Sequence, residues 1–562
     1  MSVITADTAL LSFLDGGPLP ELPVDTLGEA LVRAAGLPDA GLIHFVQPDG
    51  SAVDSSYPEL LADALRILTG LRVGGARAGD KLMLQIRSEP DLLGAFWAAV
   101  LGGMIPITLA PGPVGDMSAA AELIERVWGG YDKPWVVVGD DGPEPSEELA
   151  ASGAWLGRVG GLRENAPAEE LHQARAEDLA VLLLTSGSTG VPKAVALTHR
   201  NIIARSTATA VVRGLGRDSR TFNWMPLDHI GGLVMFHARD VLLGCTQVHA
   251  RLPWILADPT RWFDQISKHR ADTTWAPNFA FRLVNDRAAE IEGRDWDLSR
   301  LRYIMNGGES VKASVIRQFL ELLAPFGLPR TCMHPGWGMS ETSAGVVDSV
   351  FDPDSTGDER FVQVGRPHPG VAVRVVDEHD QLLPVGTVGR LQVGGAPVTS
   401  GYYANAKVNA ECFTDDGWFR SGDLAVIEDG ALTVTGRVDD LIVINGAEYH
   451  GHEIEALVEE LDFVEPSYTV VSPVTVRQDA DGRPVEELAV FFHPRGGLEP
   501  AAVERQIREL VSARFGLEIG RLVTLAKEDV PKTGIGKLRR AQLRQGFEAE
   551  TARQEFDAEA AR

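Results

Sequence analysis

Apolar positions along this chain fall into two spacings. Leu60, Leu61, Ala64, Leu65 and Leu68 recur at helical spacing, and the stretch from Asp91 to Leu101 is apolar almost all round. The first pattern predicts an amphipathic helix and the second a helix buried on every side. Between and after them, "KLMLQI", "MIPITL" and "PWVVV" are short apolar runs that predict strands. From Leu27 to about Asp178 strands and helices alternate, as they do in parallel sheets covered by helices. The polar, proline-bearing run "GDDGPEPSEE" predicts a surface loop. Late in the chain, "SYTVVSPV" and "ELAVFF" predict strands, and two helical faces are carried by Ile454, Leu457, Val458 and Leu461 and by Val503, Ile507, Leu510 and Val511. The fold class read from these patterns is α/β, with a small α+β region at the end.

At 562 residues the chain exceeds what one core sustains, so at least two domains are expected. A content of 44% hydrophobic and 23% charged residues is that of a soluble globular protein. Lys plus Arg number 52 against 79 Asp plus Glu, a net charge of −27, and no nucleic acid partner is expected because the global field disfavours phosphates. The same balance means that an anionic ligand requires a local concentration of cations. Cys245, Cys332 and Cys412 are too scattered for a disulfide framework or a zinc site, which fits a reducing, cytoplasmic setting. No secretion signal and no membrane span are expected, since no basic region precedes the first apolar run and no apolar stretch approaches about 20 residues.

One stretch carries chemistry. The apolar run Leu179–Leu184 passes directly into "TSGSTGVPK", which places the hydroxyls of Thr185, Ser186, Ser188 and Thr189, the turn-forming Gly187 and Gly190, and the cation Lys193 after a strand. Glycines allow the backbone to approach an anion, and hydroxyls and lysine donate to it. A Walker loop requires lysine immediately after its second glycine; here Val191 and Pro192 intervene, so that reading fails.

The full pattern resembles the signature loop of the AMP-forming adenylating enzymes: acyl-CoA synthetases, adenylation domains of nonribosomal peptide synthetases, and luciferases. Further segments resemble that family in order along the chain, from roughly Leu60 to Gln545. "PLDHIGG" is similar to the family's segment near the reacting carboxylate, with Pro226, His229 and Gly232 matching. His229 can also be read as a turn histidine. Amino-acid-activating relatives usually carry an aspartate after that histidine; Ile230 stands there instead, and a buried ammonium without a counter-charge is disfavoured. "TTWAPNFAF" resembles the acyl-pocket segment, implying substrate contacts from Asn278 and Phe279. "MNGGES" resembles the adenine and ribose segment, implying nucleotide contacts from Gly308, Glu309 and Ser310, with Asn306 and Gly307 before them at the substrate. "GWGMSET" resembles the family's aromatic-Gly-x-Thr-Glu motif, with Trp337 for tyrosine and Ser340 for threonine. The resemblance implies nucleotide contacts from Trp337, Gly338, Met339 and Ser340, and magnesium on Glu341, a hard-oxygen ligand. It further implies ribose binding by Asp423, a nucleotide contact from Arg437, a hinge at Asp439 and a catalytic Lys537.

The resemblance thus implies a large N-terminal domain of helix-covered sheets over residues 1–438 and a small mobile C-terminal domain over 439–545; residues 546–562 read as a charged tail, either a helix or a frayed end. The implied reaction uses ATP and Mg2+ to convert a non-amino, aryl or acyl acid to an acyl adenylate with release of pyrophosphate, with Lys537, Lys193 and His229 as catalytic residues. The acyl group then passes to the phosphopantetheine thiol of a carrier protein acting in trans. Free coenzyme A or a nitrogen nucleophile are the alternative acceptors. Arg539, Arg540 and Arg544 offer a basic patch for an acidic carrier, or a solvated helix face. Lys193, Glu341, Asp423 and Lys537 are all present, which speaks against a non-catalytic binding relative.

Overall fold

The computed structural model describes residues 10–112, 115–185, 192–355, 361–444, 447–478, 484–496, 499–532 and 538–560. The chain divides into two compact units. One comprises Met1–Ser421 with Ala425–Val434, the other Gly422–Leu424 with Thr435–Arg562.

In the larger unit, the helix-spaced leucines form helix Tyr57–Val73, opened by a capping box of Ser56 and Glu59 and by a proline in the first turn. The all-apolar segment forms helix Glu89–Gly102, buried from Leu92 onward and stopped by left-handed Gly103. These helices pack against each other beside a six-stranded sheet. Its strands run in the order Trp155–Arg158, Trp135–Val138, Lys81–Gln85, Ile105–Thr108, Leu179–Thr185 and Lys193–Thr198. All are parallel to their neighbours except the last pair, which is antiparallel. A second sheet of fourteen strands has a parallel half and an antiparallel half. The parallel half includes Arg220–Asn223, Thr273–Ala276, Tyr303–Gly307 and Met333–Met339; Ala344–Asp348 turns back antiparallel and begins the other half.

Two buried polar clusters hold the strands and helices that carry the site motifs. At the first, Asp348 accepts from Tyr303 Oη at 2.8 Å and from Arg213, and pairs with His368 Nε2 at 2.8 Å. Thr209 reaches the other nitrogen of His368. Burial acts to raise the Asp348 carboxyl, but His368 and Arg213 outweigh it and hold the group well below the usual carboxylate range. The cluster ties helix His199–Arg213, opened by Thr198 and Asn201, to the strands ending at Gly307 and Asp348. At the second, the Trp97 indole donates to His237 Nε2 at 2.8 Å, and His237 Nδ1 donates to Gln247, which donates in turn to Tyr57 Oη. These partners fix His237 as the neutral Nδ1-protonated tautomer.

The smaller unit is α+β. Strands Val470–Gln478, Pro484–Phe492 and Arg521–Thr524 form its sheet. Ile442, Ile454, Val458, Val471, Val490, Ile507 and Val511 fill one core, with Leu461 partly buried against it. On the opposite face Val470, Val474 and Phe491 are covered by Leu543 and Phe547 of helix Arg540–Ala560. That helix runs without a break across Gln545. Phe547 packs edge-on against Phe491 and Glu548 accepts from the Thr475 amide, so the region expected as a tail is anchored at its start by packing that sequence pattern did not reveal. No helix among the described residues is long and apolar enough to cross a membrane.

Candidate functional site

The hydroxyl-rich stretch begins at the tip of a hairpin. Leu179–Thr185 pairs antiparallel with Lys193–Thr198, Thr185 opposite Lys193, and the Thr185 hydroxyl donates to the Lys193 carbonyl at 3.3 Å. Ser186, Gly187, Ser188, Thr189 and Gly190 lie outside the described residues, as does Lys537. Lys193 itself opens the return strand, so a regular ladder sets its backbone. Tyr131 anchors this edge by donating to the Pro192 carbonyl.

A short segment, 396–403, clips that return strand to the turn bearing Glu341. Tyr403 N donates to Ala194 O at 2.8 Å and Ala196 N to Gly401 O at 3.1 Å. Asn201 donates to the carbonyls of Ala396 and Val398, and Ser343 to that of Pro397. Thr399 N donates to the Glu341 carbonyl at 2.8 Å. Tyr402 then places its ring 5.1 Å from Lys193 Nζ and donates its hydroxyl to Glu341 Oε1 at 2.7 Å. Glu341 is 5% exposed. The clip was not singled out from sequence, because "GYYANA" carries no glycine–hydroxyl pattern or charge to mark it.

Two neighbouring strands carry the segments expected at the nucleotide. Asn306 and Gly307 sit opposite Pro335 and Gly336, bringing the ends of "MNGG" and "PGWGM" side by side. Trp337 is buried, while Met339 and Ser340 are half-buried. A Cβ on Gly338 would lie 2.2 Å from the Ala344 carbonyl oxygen, so only glycine permits this approach of the antiparallel partner. Beyond the strand, Ser343 and Ala344 adopt left-handed backbone at φ 56° and 106°, which marks the turn after Glu341 as strained. Ser310 is exposed, and Gly308 turns at φ 86°.

Glu309 and Asn278 make contacts that sequence alone did not anticipate. Glu309 accepts from Phe279 N at 2.6 Å and so caps helix Asn278–Asn285. The Asn278 amide oxygen accepts from Asn306 Nδ2 and from Lys312 N, which commits it within the protein. Phe279 is half-buried, whereas Trp275 and Phe281 are core residues.

On the acid side, His229 accepts from Gly231 N through Nδ1 at 3.1 Å, placing the proton of the neutral ring on Nε2. Its ring lies parallel to Trp275 at 6.3 Å. The glycines of the motif have geometric causes: a Cβ on Gly231 would strike the Trp275 ring, and one on Gly232 would sit 2.3 Å from the Pro226 carbonyl oxygen. Ile230 is 7% exposed, and Gly231–Ala238 continues as a π-helix, a form found frequently at functional sites. Burial raises the carboxyl of Asp228.

In the smaller unit, Asp423 and Arg437 are paired at 3.5 Å. Asp439 lies in the 3-10 turn Val438–Asp440. Arg540, read from sequence as part of a docking patch or of a solvated helix face, makes a two-pronged pair with buried Glu455. Glu455 is also the acceptor for Val471 N, so that arginine is a structural cation.

The sequence model of the AMP-binding enzyme family matches residues 32–403. The chain belongs to this family. The AMP-binding enzyme is 31% identical over 546 residues to the nonribosomal peptide synthetase apvA of Aspergillus terreus (strain NIH 2624 / FGSC A1156), covering 94% of this chain and 58% of that protein. The chain spans about half the length of the curated relatives it matches. Among solved structures, the McyG A-PCP complexed with phenylalanyl-adenylate superposes with a TM-score of 0.88 at 36% identity, over 98% of this chain and 87% of that one. The adenylation, ketoreductase and pseudo Asub multidomain structure of a keto acid-selecting NRPS module gives a TM-score of 0.87 at 36% identity, over 97% and 47% respectively. The AMP-binding enzyme thus has the expected adenylate-forming fold, a large α/β unit followed by a smaller α+β one.

Proposed function

We propose that this enzyme adenylates a carboxylic acid that lacks an α-ammonium group, a 2-oxo acid foremost, and passes the acyl group to a carrier-bound phosphopantetheine thiol. The observation that carries the adenylation reading is the assembly of Lys193, Tyr402 and Glu341 beside Thr185, the residue at which the hydroxyl-rich stretch begins. It combines a cation and a buried carboxylate with a strand-end hydroxyl.

Among the described residues no group of three or more His, Cys, Asp or Glu is placed to cage a metal. A lone carboxylate suits Mg2+, which is held by one or two carboxylates together with substrate phosphates. Glu341 would hold it, and Mg2+ bound there supplies charge neutralisation at the phosphates. Lys193 would donate to phosphate oxygens as negative charge develops in the transition state, joined by the Thr185 hydroxyl once it turns from the Lys193 carbonyl. His229, its ring parallel to Trp275, would orient the carboxylate. One carboxylate oxygen attacks the α-phosphorus while the bond from that phosphorus to the leaving pyrophosphate breaks. Trp337 would stack on the adenine, beside the backbone of Gly307, Gly308 and Gly338, and Asp423 would bind the ribose hydroxyls. Lys537 is assigned to the adenylation step as its catalytic lysine.

Two observations support the acid class. Ile230 places a buried apolar side chain next to His229, where it offers no counter-charge for an ammonium, and burial raises the carboxyl of Asp228 on the other side of that histidine. One structural relative at 36% identity is described as keto acid-selecting. The McyG complex, equally similar at 36% identity, carries phenylalanyl-adenylate, so likeness allows both classes and Ile230 decides between them in favour of an acid without an ammonium group.

The test is acid-dependent pyrophosphate release with Mg2+ and ATP across 2-oxo, aryl, alkyl, hydroxy and amino acids. Preference for 2-oxo acids is expected, and release with amino acids alone would overturn the reading of Ile230. Mass spectrometry of the acylated product, with a carrier protein and coenzyme A offered together, then decides the acceptor.

A further inference from the structure

We infer that Tyr402 is a positioning residue that couples the lysine of the hairpin to the carboxylate of the 340–342 turn, its hydroxyl setting the orientation of Glu341 and its ring face holding Lys193. The inference rests on the proposed reading of Glu341 as the metal-binding carboxylate.

The geometry assigns two distinct jobs to one side chain. The hydroxyl donates to Glu341 Oε1 at 2.7 Å, and the hydrogen bond is buried at both ends, so it resists competition from water. The ring centroid lies 5.1 Å from Lys193 Nζ, within range of a cation–π attraction. The backbone of the same segment is independently fastened to both partners. Val195 and Tyr402 form a bridge, Tyr402 N donates to Asn409 Oδ1 at 2.7 Å, and Thr399 N holds the Glu341 carbonyl. Tyr402 therefore keeps its position when its hydroxyl is removed, which allows the hydroxyl to be tested alone. A carboxylate that ligates a metal depends on such outer hydrogen bonds for its orientation, and their loss typically costs about 10–100-fold in metal affinity. The ring contact acts on Lys193 instead, and so on nucleotide phosphate whether or not metal is present.

The full chain is assayed by titrating Mn2+ into enzyme holding the non-reacting analogue α,β-methylene-ATP, read by electron paramagnetic resonance, alongside calorimetric binding of the metal-free analogue in EDTA. Tyr402→Phe is expected to weaken Mn2+ binding about tenfold or more while metal-free affinity and melting temperature stay as in the parent. Tyr402→Leu is expected to weaken metal-free nucleotide binding as well. Unchanged Mn2+ binding in Tyr402→Phe, or an equal loss with and without metal, overturns the inference. Glu341→Gln separates the two readings. If it lowers Mn2+ affinity while Tyr402→Phe does not, only the role of Tyr402 falls; if it leaves Mn2+ affinity unchanged, the metal reading of Glu341 falls with it.

Discussion

Gly338 shows how a single position in this enzyme is set by backbone rather than by side-chain chemistry. Its missing Cβ would stand 2.2 Å from the Ala344 carbonyl oxygen and 2.4 Å from Gly345 Cα, both backbone atoms that cannot swing aside. Gly338→Ala must push apart the strands Met333–Met339 and Ala344–Asp348, which lead into and out of the turn bearing Glu341. A loss of about 1–3 kcal/mol is expected, the usual cost of overpacking, together with weaker ATP binding. Denaturant unfolding and nucleotide titration of the variant check both, and a fully stable variant with normal ATP affinity would refute the account. The spacing around His229 has the same kind of cause. Gly232 was legible as a motif position, but that it closes on the Pro226 carbonyl, and that Gly231 seats the Trp275 ring, required coordinates.

At the level of elements, the strands and helices that carry the site are held by buried histidines that must stay neutral. Burial lowers His237 and His199 to about 4 each, and burial with Arg213 nearby lowers His334 to about 4. The unfolded chain takes up protons on these rings from about pH 6.5 downward, whereas the folded chain does not until about pH 4. Stability is therefore full above the ordinary imidazole value and is lost as pH falls, by up to about 2 kcal/mol per histidine at pH 5. Urea unfolding at pH 7.5 and pH 5 should show that slope, and His237→Gln, though itself destabilised, should show a shallower one. A slope unchanged by the substitution would count against His237 as a contributor. The helices of the larger unit were legible from periodicity and capping residues, as at Tyr57–Val73 and His199–Arg213. The π-helix Gly231–Ala238 was not, because its apolar run has no face to read and the ring partners of His237, Trp97 and Gln247, join it from a separate helix and a separate strand.

For the whole molecule, the assignment of Lys537 separates chemistry from folding. Lys537 follows Gly536 in the stretch of chain assigned to the smaller unit. Lys537→Ala is expected to slow pyrophosphate release with the preferred acid by about 100-fold or more, while melting temperature and ATP affinity remain near those of the parent. Pyrophosphate release within a few-fold of the parent enzyme would remove Lys537 from the catalytic assignment.

Sequence by itself determined the order of the motifs, the alternation of strands and helices, and the chemical types available at each motif. These are local properties: periodicity, turn residues and charge are read within a few positions of one another. Tertiary structure alone decided which groups meet. Tyr402 lies 61 residues from Glu341, and Asp348 lies 135 from Arg213, so no pattern along the chain reports either contact. The same holds for Arg540, which looks like a surface cation until the fold sets it against Glu455, 85 positions away. Partners of this kind are chosen by the packing of distant elements against a common core, and the free energy that selects them exists only once that core has formed.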